Sequence, residues 1–500
     1  MKSADAPDYV LGVVGAGAMG QGIAQVAAAG GLRVLIQDAR DGAATAAREA
    51  VAGRLDRLVE KGRMGADAAR AAIARIEPVA GISDLAPADT VLEAVFEDLE
   101  VKRAVFSALE AAVSPHCLLA SNTSSIPIAA IARACDRRNR VAGLHFFNPV
   151  PLMRLVEVIR AAETSDATVE TLAALGRRMT RVPVTVQDSP GFLVNLGGRA
   201  FTTEALRIAQ EGVAAPAEID AVMRDCWGFR MGPFELMDLT GMDVNYPVSQ
   251  IVWEGYGYDP RLATTPAHRA MAEAGLLGRK TGQGWYRYEG GRAVDLPPSD
   301  WSGEARPAAR VALAHRDAAL EALLREVGMN LAPDAGDVPV LAAPRGEDAT
   351  ALATAGTDPR RLVCVDLLGD TSRRVTLMTA PGADLGLRDT VAAAFQASGR
   401  KITVIKDSPG FVGPRICAMI ANLGCFMAET GLAAPADIDT AMELGLNYPR
   451  GPLALAEHLG LRTSLAILEG LGRATGDPRY RPTGWLRRRA VLDLPANTPA

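Results

Sequence analysis

From Tyr9 to about Val186, short β-branched runs alternate with alanine-rich stretches. The runs at 10–14, 33–36, 90–93 and 117–120 read as buried strands, and residues 20–29 and 41–61 as helices between them. Alternation of this kind predicts a parallel, doubly wound sheet. At Asp188-Ser189-Pro190-Gly191-Phe192 the pattern changes. A serine N-cap with proline at the first helical position predicts a helix start there. The chain to about Gly275 then reads as mostly helical, closing at Arg279–Tyr286.

The helical pattern occurs twice. Asp407-Ser408-Pro409-Gly410-Phe411 restates the Asp188 motif 219 positions later, and the same offset carries Gly212 to Gly431, Ile219-Asp220 to Ile438-Asp439, and Gly232-Pro233 to Gly451-Pro452. A gapless register of that length is a duplicated domain. Between the copies, Pro297-Pro298 and 301–307 read as linker, and 338–342, 362–366, 375–378 and 402–405 as strands without a glycine fingerprint. Four segments are expected. They are an α/β Rossmann-type domain (1–187), an all-α domain (188–290), a linker with a degenerate α/β segment (291–405), and a second, duplicated all-α domain (406–500).

Composition narrows the function. Five hundred residues call for more than one core. A formal net charge of -5 gives no reason to expect nucleic acid as a partner, and no apolar stretch is long enough to span a bilayer. The first residues lack a signal peptide's apolar run, so a cytoplasmic location is expected. Six scattered cysteines and five histidines show no metal-ligand spacing, so reduced thiols and no metal are expected.

Gly15-Ala16-Gly17-Ala18-Met19-Gly20 follows a predicted strand and opens a predicted helix. Glycines there permit a tight turn and let backbone approach a pyrophosphate at a helix N-terminus. Asp38 ends the next strand, where it can accept from ribose hydroxyls and would repel a 2′-phosphate. NAD is therefore the expected cofactor, although the glycine motif alone also admits FAD.

His145 and Glu157 lie twelve residues apart across a turn containing Pro149 and Pro151. Histidine suits proton abstraction near neutral pH, and a carboxylate on its second ring nitrogen fixes the tautomer. That pairing requires the strand near Arg154 to run back beside the one ending at Leu144. Each element also has a plain structural reading: a hydrogen-bonded histidine at a strand end, capping hydroxyls at Ser121–Ser125, a solvated Asn195. Their order along one chain favours the chemical reading.

These residues resemble the 3-hydroxyacyl-CoA dehydrogenase family. The resemblance is carried by Gly15–Gly20, Glu93–Lys102, Ser121–Ser125, His145–Val158, Asp188–Asn195 and Lys280–Tyr286. It implies His145 as the base, Glu157 as the acid paired with it, Ser124 at the reacting oxygen and coenzyme, and Asn195 at the substrate carbonyl region. It implies NAD contacts from Asp38, Glu97, Lys102, Asn122, Asn148 and Lys280 beside the glycine turn, and a CoA contact from Lys61. Lys102 and Lys280 equally fit surface lysines. The duplicated helical domain resembles the long family members of phenylacetate degradation, which oxidise 3-hydroxyadipyl-CoA. An acyl-CoA thioester is the implied partner. The chain would be a homodimer or a pseudo-dimeric monomer. Two competing expectations are a dehydrogenase of free hydroxy acids such as gulonate, and a non-catalytic NAD-binding structural protein. Asn195 corresponds to Pro414 at the 219 offset, and Asp366 stands at the histidine position of the second half, so one active site per chain is expected.

Overall fold

The computed structural model describes residues 2–499. The chain divides into two compact units, one comprising residues up to Leu196 with Gly431–Leu446, the other Gly197–Thr430 with the residues from Asn447 onward. No described helix is long and apolar enough to cross a membrane.

The first unit holds an eight-stranded sheet. Its strands are β1 (Val10–Val14), β2 (Arg33–Gln37), β3 (Ile76–Pro78), β4 (Thr90–Glu93), β5 (Leu118–Ser121), β6 (Val141–Phe146), β7 (Leu155–Arg160) and β8 (Val182–Gln187). They lie in the order β3-β2-β1-β4-β5-β6-β7-β8. Only β6 and β7 pair antiparallel. Strands β1, β4, β5 and β6 are buried along their whole length, which is why they read as apolar runs and not as alternating ones. The order reverses between β1 and β4, so a ligand crevice opens at the carboxyl ends of those strands.

The Asp188 motif is not a helix start. Gly191 and Phe192 both take left-handed φ values, +75° and +49°, and the helix begins only at Val194. The motif's proton acceptors are engaged elsewhere. Asp188 accepts from the N–H groups of Ile128 and Ala129, capping helix Ile128–Ala132. The second copy does the same work: Asp407 accepts from Ala349 and Thr350, at the head of helix Ala349–Thr354.

The second unit contains a hairpin, β9 (Arg287–Glu289) and β10 (Arg292–Val294), and a six-stranded sheet. That sheet comprises β11 (Arg310–Leu313), β12 (Asn330–Leu331), β13 (Val340–Ala342), β14 (Leu362–Val365), β15 (Arg374–Met378) and β16 (Lys401–Ile405). The order is β12-β11-β13-β14-β15-β16, with only β14 and β15 antiparallel. Strands β15 and β16 start 219 positions after β7 and β8 (374 − 155; 401 − 182). The segment thus keeps the spacing of the first sheet's last two strands. Strands β11 and β12 add to the four expected from sequence. After β11 the chain runs Ala314-His315-Arg316-Asp317 in place of glycines, and Asp317 caps the next helix itself.

Within this unit the two helical copies are joined by a buried cation. Arg415, on helix Gly413–Glu429, donates to Glu204 at 2.7 Å and Tyr480 at 2.7 Å, with Glu211 at 2.8 Å. Arg415 and Glu204 are both essentially inaccessible. At the 219 offset they correspond to Leu196 and Leu423, so the pair departs from the repeat symmetry. Glu204 also pairs with the buried Arg479 at 3.4 Å, so losing Arg415 removes the nearer of its two cations and the partner of Glu211. Arg415→Ala is expected to lower unfolding free energy by about 3 kcal/mol in denaturant titration.

Candidate active site

The register of the single antiparallel pair in the first sheet sets His145 directly opposite Glu157. Their side chains meet at 2.7 Å, His145 Nδ1 to Glu157 Oε2, with both residues buried. An ionised carboxylate only accepts, so Nδ1 carries the proton and Nε2 is left as the basic atom. The other Glu157 oxygen accepts from the backbone N–H of Leu193 at 3.0 Å and Val194 at 2.9 Å. Glu157 therefore caps the short helix Val194–Gly197 that carries Asn195. The His145 ring packs against Phe147 and Phe192, the latter aimed by its left-handed backbone.

Asn195 Nδ2 donates to the Ser124 carbonyl at 3.2 Å, which brings the hydroxyl turn beside the His145–Glu157 pair. Asn122, within that turn, accepts from Phe146 N–H at 2.8 Å and ties it to the strand of His145. The turn is organised from behind by Glu97, which accepts from the Thr123 hydroxyl at 2.5 Å and the Ser124 N–H at 3.1 Å. Burial would raise the Glu97 pKa, but the Thr123 hydroxyl and the Lys102 cation outweigh it and hold it below the usual range. Lys102 is not a surface lysine: it is 1% exposed, with Glu93 at 2.6 Å and Glu97 at 3.2 Å. Glu93 is fully buried and also accepts from the Ser121 hydroxyl. In the sequence Glu93 ends a strand and opens the stretch that carries the family resemblance, without a role of its own. Its signal was a lone carboxylate closing the apolar run Thr90–Glu93 nine residues before a lysine.

At the carboxyl end of β1 the residues fit a dinucleotide. A Cβ on Gly15 would meet the Ala94 carbonyl at 2.4 Å, and one on Gly20 the Gly15 carbonyl at 1.8 Å, so the turn requires both glycines. Gly17 faces open space. Helix Ala18–Ala29 has no side-chain cap, and its first i→i+4 bond is Gln21 N to Gly17 O. The N–H groups of Ala18, Met19 and Gly20 thus precede the ladder, as a pyrophosphate site needs. Asp38 follows β2 and accepts from Ala16 N–H at 2.7 Å and from Arg40. Burial would raise its pKa, and those donors hold it below the ordinary carboxylate range.

Beside the glycine helix lies a cleft of about 520 Å³, lined by Arg54, Arg57, Lys61, Arg63 and the turn from Asn148 to Leu152. Lys61 closes helix Ala43–Glu60. Arg54 donates to Gln21 and Gln25, while its Nη2 is buried without a hydrogen-bond partner among the described residues. Asn148 is exposed at the mouth of this cleft. Lys280 belongs to the other compact unit, where it pairs with Asp243.

The second sheet carries different residues at the matching positions. Asp366 N–H donates to Thr376 O at 3.0 Å, and Thr376 lies 219 positions after Glu157 (376 − 157). An aspartate and a threonine therefore stand where the first sheet has histidine and glutamate. Burial pushes the Asp366 carboxyl from 3.8 up to about 7. Between those values the folded state holds a proton the unfolded chain has released, so stability falls as pH rises through this window. Asp366→Asn is expected to exceed the parent in stability at pH 8 by on the order of 2 kcal/mol, and not to exceed it at pH 4, in paired denaturant titrations.

A glycine turn at the reversal of a parallel sheet, an acid just past β2 and a carboxylate-held histidine define a dinucleotide-dependent dehydrogenase. Family profiles specify it further: "3-hydroxyacyl-CoA dehydrogenase, NAD binding domain" matches residues 10–189, and the C-terminal domain profile matches 191–288 and again 410–494. The chain belongs to the 3-hydroxyacyl-CoA dehydrogenase family and is an NAD-dependent oxidoreductase. It is 39% identical to the 3-hydroxyadipyl-CoA dehydrogenase of Escherichia coli over 97% of this chain and 98% of that one. A probable 3-hydroxybutyryl-CoA dehydrogenase of Deinococcus radiodurans is 40% identical over 56% of this chain and 99% of its own. The crystal structure of an Escherichia coli 3-hydroxybutyryl-CoA dehydrogenase superposes with a TM-score of 0.86 at 37% identity, covering 97% and 98% of the two chains.

Proposed function

We propose that the chain oxidises 3-hydroxyadipyl-CoA, with His145 as base, Glu157 as its orienting carboxylate, and Ser124 and Asn195 positioning the reacting oxygen. The observation that carries the catalytic roles is the 2.7 Å bond from His145 Nδ1 to Glu157. It leaves Nε2 to take the hydroxyl proton, while Glu157 stabilises the imidazolium that results. Gly15, Gly17, the Ala18–Gly20 amides and Asp38 would hold NAD, which would supply the hydride acceptor. Glu97 and Lys102 serve by fixing the Ser124 turn, and Asn122 by tying it to β6.

The cationic cleft supports a thioester over a free acid. Arg54, Arg57, Lys61 and Arg63 gather beside the glycine helix, and a buried guanidinium nitrogen without a partner is costly unless an anion meets it. The phosphates of coenzyme A have that chemistry. The adipyl assignment is supported by the full-length match to the Escherichia coli protein of that name. The segments 188–290 and 406–500 are read as paired helical domains, with 291–405 as the reduced α/β copy between them, in a chain with one catalytic centre.

Two measurements check this reading. His145→Ala is expected to lose about 10³-fold or more in kcat while NADH binding stays at the parent level. Ratios of kcat/KM across 3-hydroxybutyryl-, 3-hydroxyhexanoyl- and 3-hydroxyadipyl-CoA are expected to favour the adipyl thioester by about tenfold or more. Faster turnover of the free hydroxy acid than of its thioester would contradict the thioester assignment.

A further inference from the structure

The second helical copy does not stay with its own half. Its helix Pro435–Leu446, with the preceding turn, belongs to the compact unit that contains His145 and Glu157. The turn covers the exposed edge of the sheet. Gln187 N–H, at the end of β8, donates to the Leu432 carbonyl at 2.9 Å, and Val186 bridges to Ala433. An edge strand otherwise presents unpaired backbone, so this cap has a structural use. The second unit contains the mirror contact. Lys406 N–H donates to Val213 O at 3.0 Å, and both residues lie 219 positions from their counterparts (406 − 187; 432 − 213). Each helical copy therefore caps the other copy's sheet.

Beyond the edge, the helix reaches the catalytic turn. A Cβ on Gly445 would stand 3.0 Å from Leu155 Cδ2 and 3.0 Å from Val194 Cγ2. Leu155 shares a face of β7 with Glu157, and Val194 supplies one of the two N–H groups that hold the Glu157 carboxylate. The mirror contact is filled the opposite way. Cys226 and Trp227 stand where the second copy has Gly445 and Leu446, and Gly413 stands where the first has Val194. A Cβ on Gly413 would meet Trp227 Nε1 at 2.0 Å. On the catalytic side the turn is large and the helix small. On the degenerate side the turn is small and the helix large.

We propose that helix Pro435–Leu446 is a positioning element of the catalytic centre, and that Gly445 is the residue admitting it against the Leu193–Val194 turn. The helix backs the turn, the turn fixes Glu157, and Glu157 fixes His145. The half without chemistry thus completes the half that has it. This inference rests on the catalytic reading of His145 and Glu157.

The test is a double-mutant cycle between Gly445→Val and Val194→Ala, read as kcat and NADH binding in the full-length protein. Gly445→Val is expected to lower kcat about 10- to 100-fold through displacement of the turn, with NADH affinity unchanged. Adding Val194→Ala, which keeps the backbone N–H and removes the clashing methyls, is expected to recover at least tenfold of any hundredfold loss. Should the valine variant fail to fold, Gly445→Ala asks the same question: a severalfold kcat loss reversed by Val194→Ala supports the proposal. Parent-level kcat in the folded Gly445 variant, or a loss that Val194→Ala does not reverse, overturns it. Failure of the underlying catalytic reading is a separate result, since His145→Ala would then keep the parent rate.

Discussion

One buried carboxylate organises the first compact unit. Glu157 is 1% exposed and takes three donors: the His145 ring nitrogen and the backbone amides of Leu193 and Val194. A charge so far from water persists only when its lone pairs are satisfied, so the three donors are requirements of the fold as well as of the chemistry. The antiparallel turn of β6 onto β7 exists in a sheet otherwise parallel, and it is what puts Glu157 across from His145. The left-handed backbone at Gly191 and Phe192 then delivers two amides to the same carboxylate and starts the helix bearing Asn195.

A second buried network performs the same service for the hydroxyl turn. Glu93, Lys102 and Glu97 form a short charge relay that ends on the Thr123 hydroxyl and the Ser124 amide. Because Lys102 lies between two carboxylates, each charge in the relay has an opposite neighbour, and the turn is held from the core outward. Duplication adds a third layer. Crossed contacts at Gln187–Leu432 and Lys406–Val213 close both sheet edges, and the exchange of small and large residues at Gly445 and Gly413 distinguishes the two halves. Asp366 and Thr376 pair across the second sheet where the first sheet has the histidine and the glutamate.

Much of this was legible in the chain. Strands buried on both faces announce themselves as apolar runs, the glycine turn sits between a strand and a helix, and the gapless offset exposes the duplication. The His145–Glu157 spacing with two prolines between implied a reversal that the register contains. Other features depend on partners distant in sequence. Serine and proline at 189–190 look like a helix start because local rules cannot see that Glu157 and the helix at 128 claim the groups around them. Lys102 looks like any lysine on an amphipathic helix until Glu93 is placed behind it. Strand β12 is two residues long, too short for any pattern to mark. Gly445 carries no local signal, since its reason lies in Leu155 and Val194, more than two hundred residues earlier.

The central claim is that Glu157 orients His145 and stabilises the charge it acquires. The most direct measurement is kcat for Glu157→Gln, with NADH binding and thermal stability followed in the same preparations. An amide keeps the shape and the hydrogen-bonding reach but can donate to Nδ1 and select the wrong tautomer. The account predicts a fall in kcat of about 10³- to 10⁴-fold in a folded protein that binds NADH as the parent does. A folded Glu157→Gln protein turning over within about threefold of the parent would contradict it.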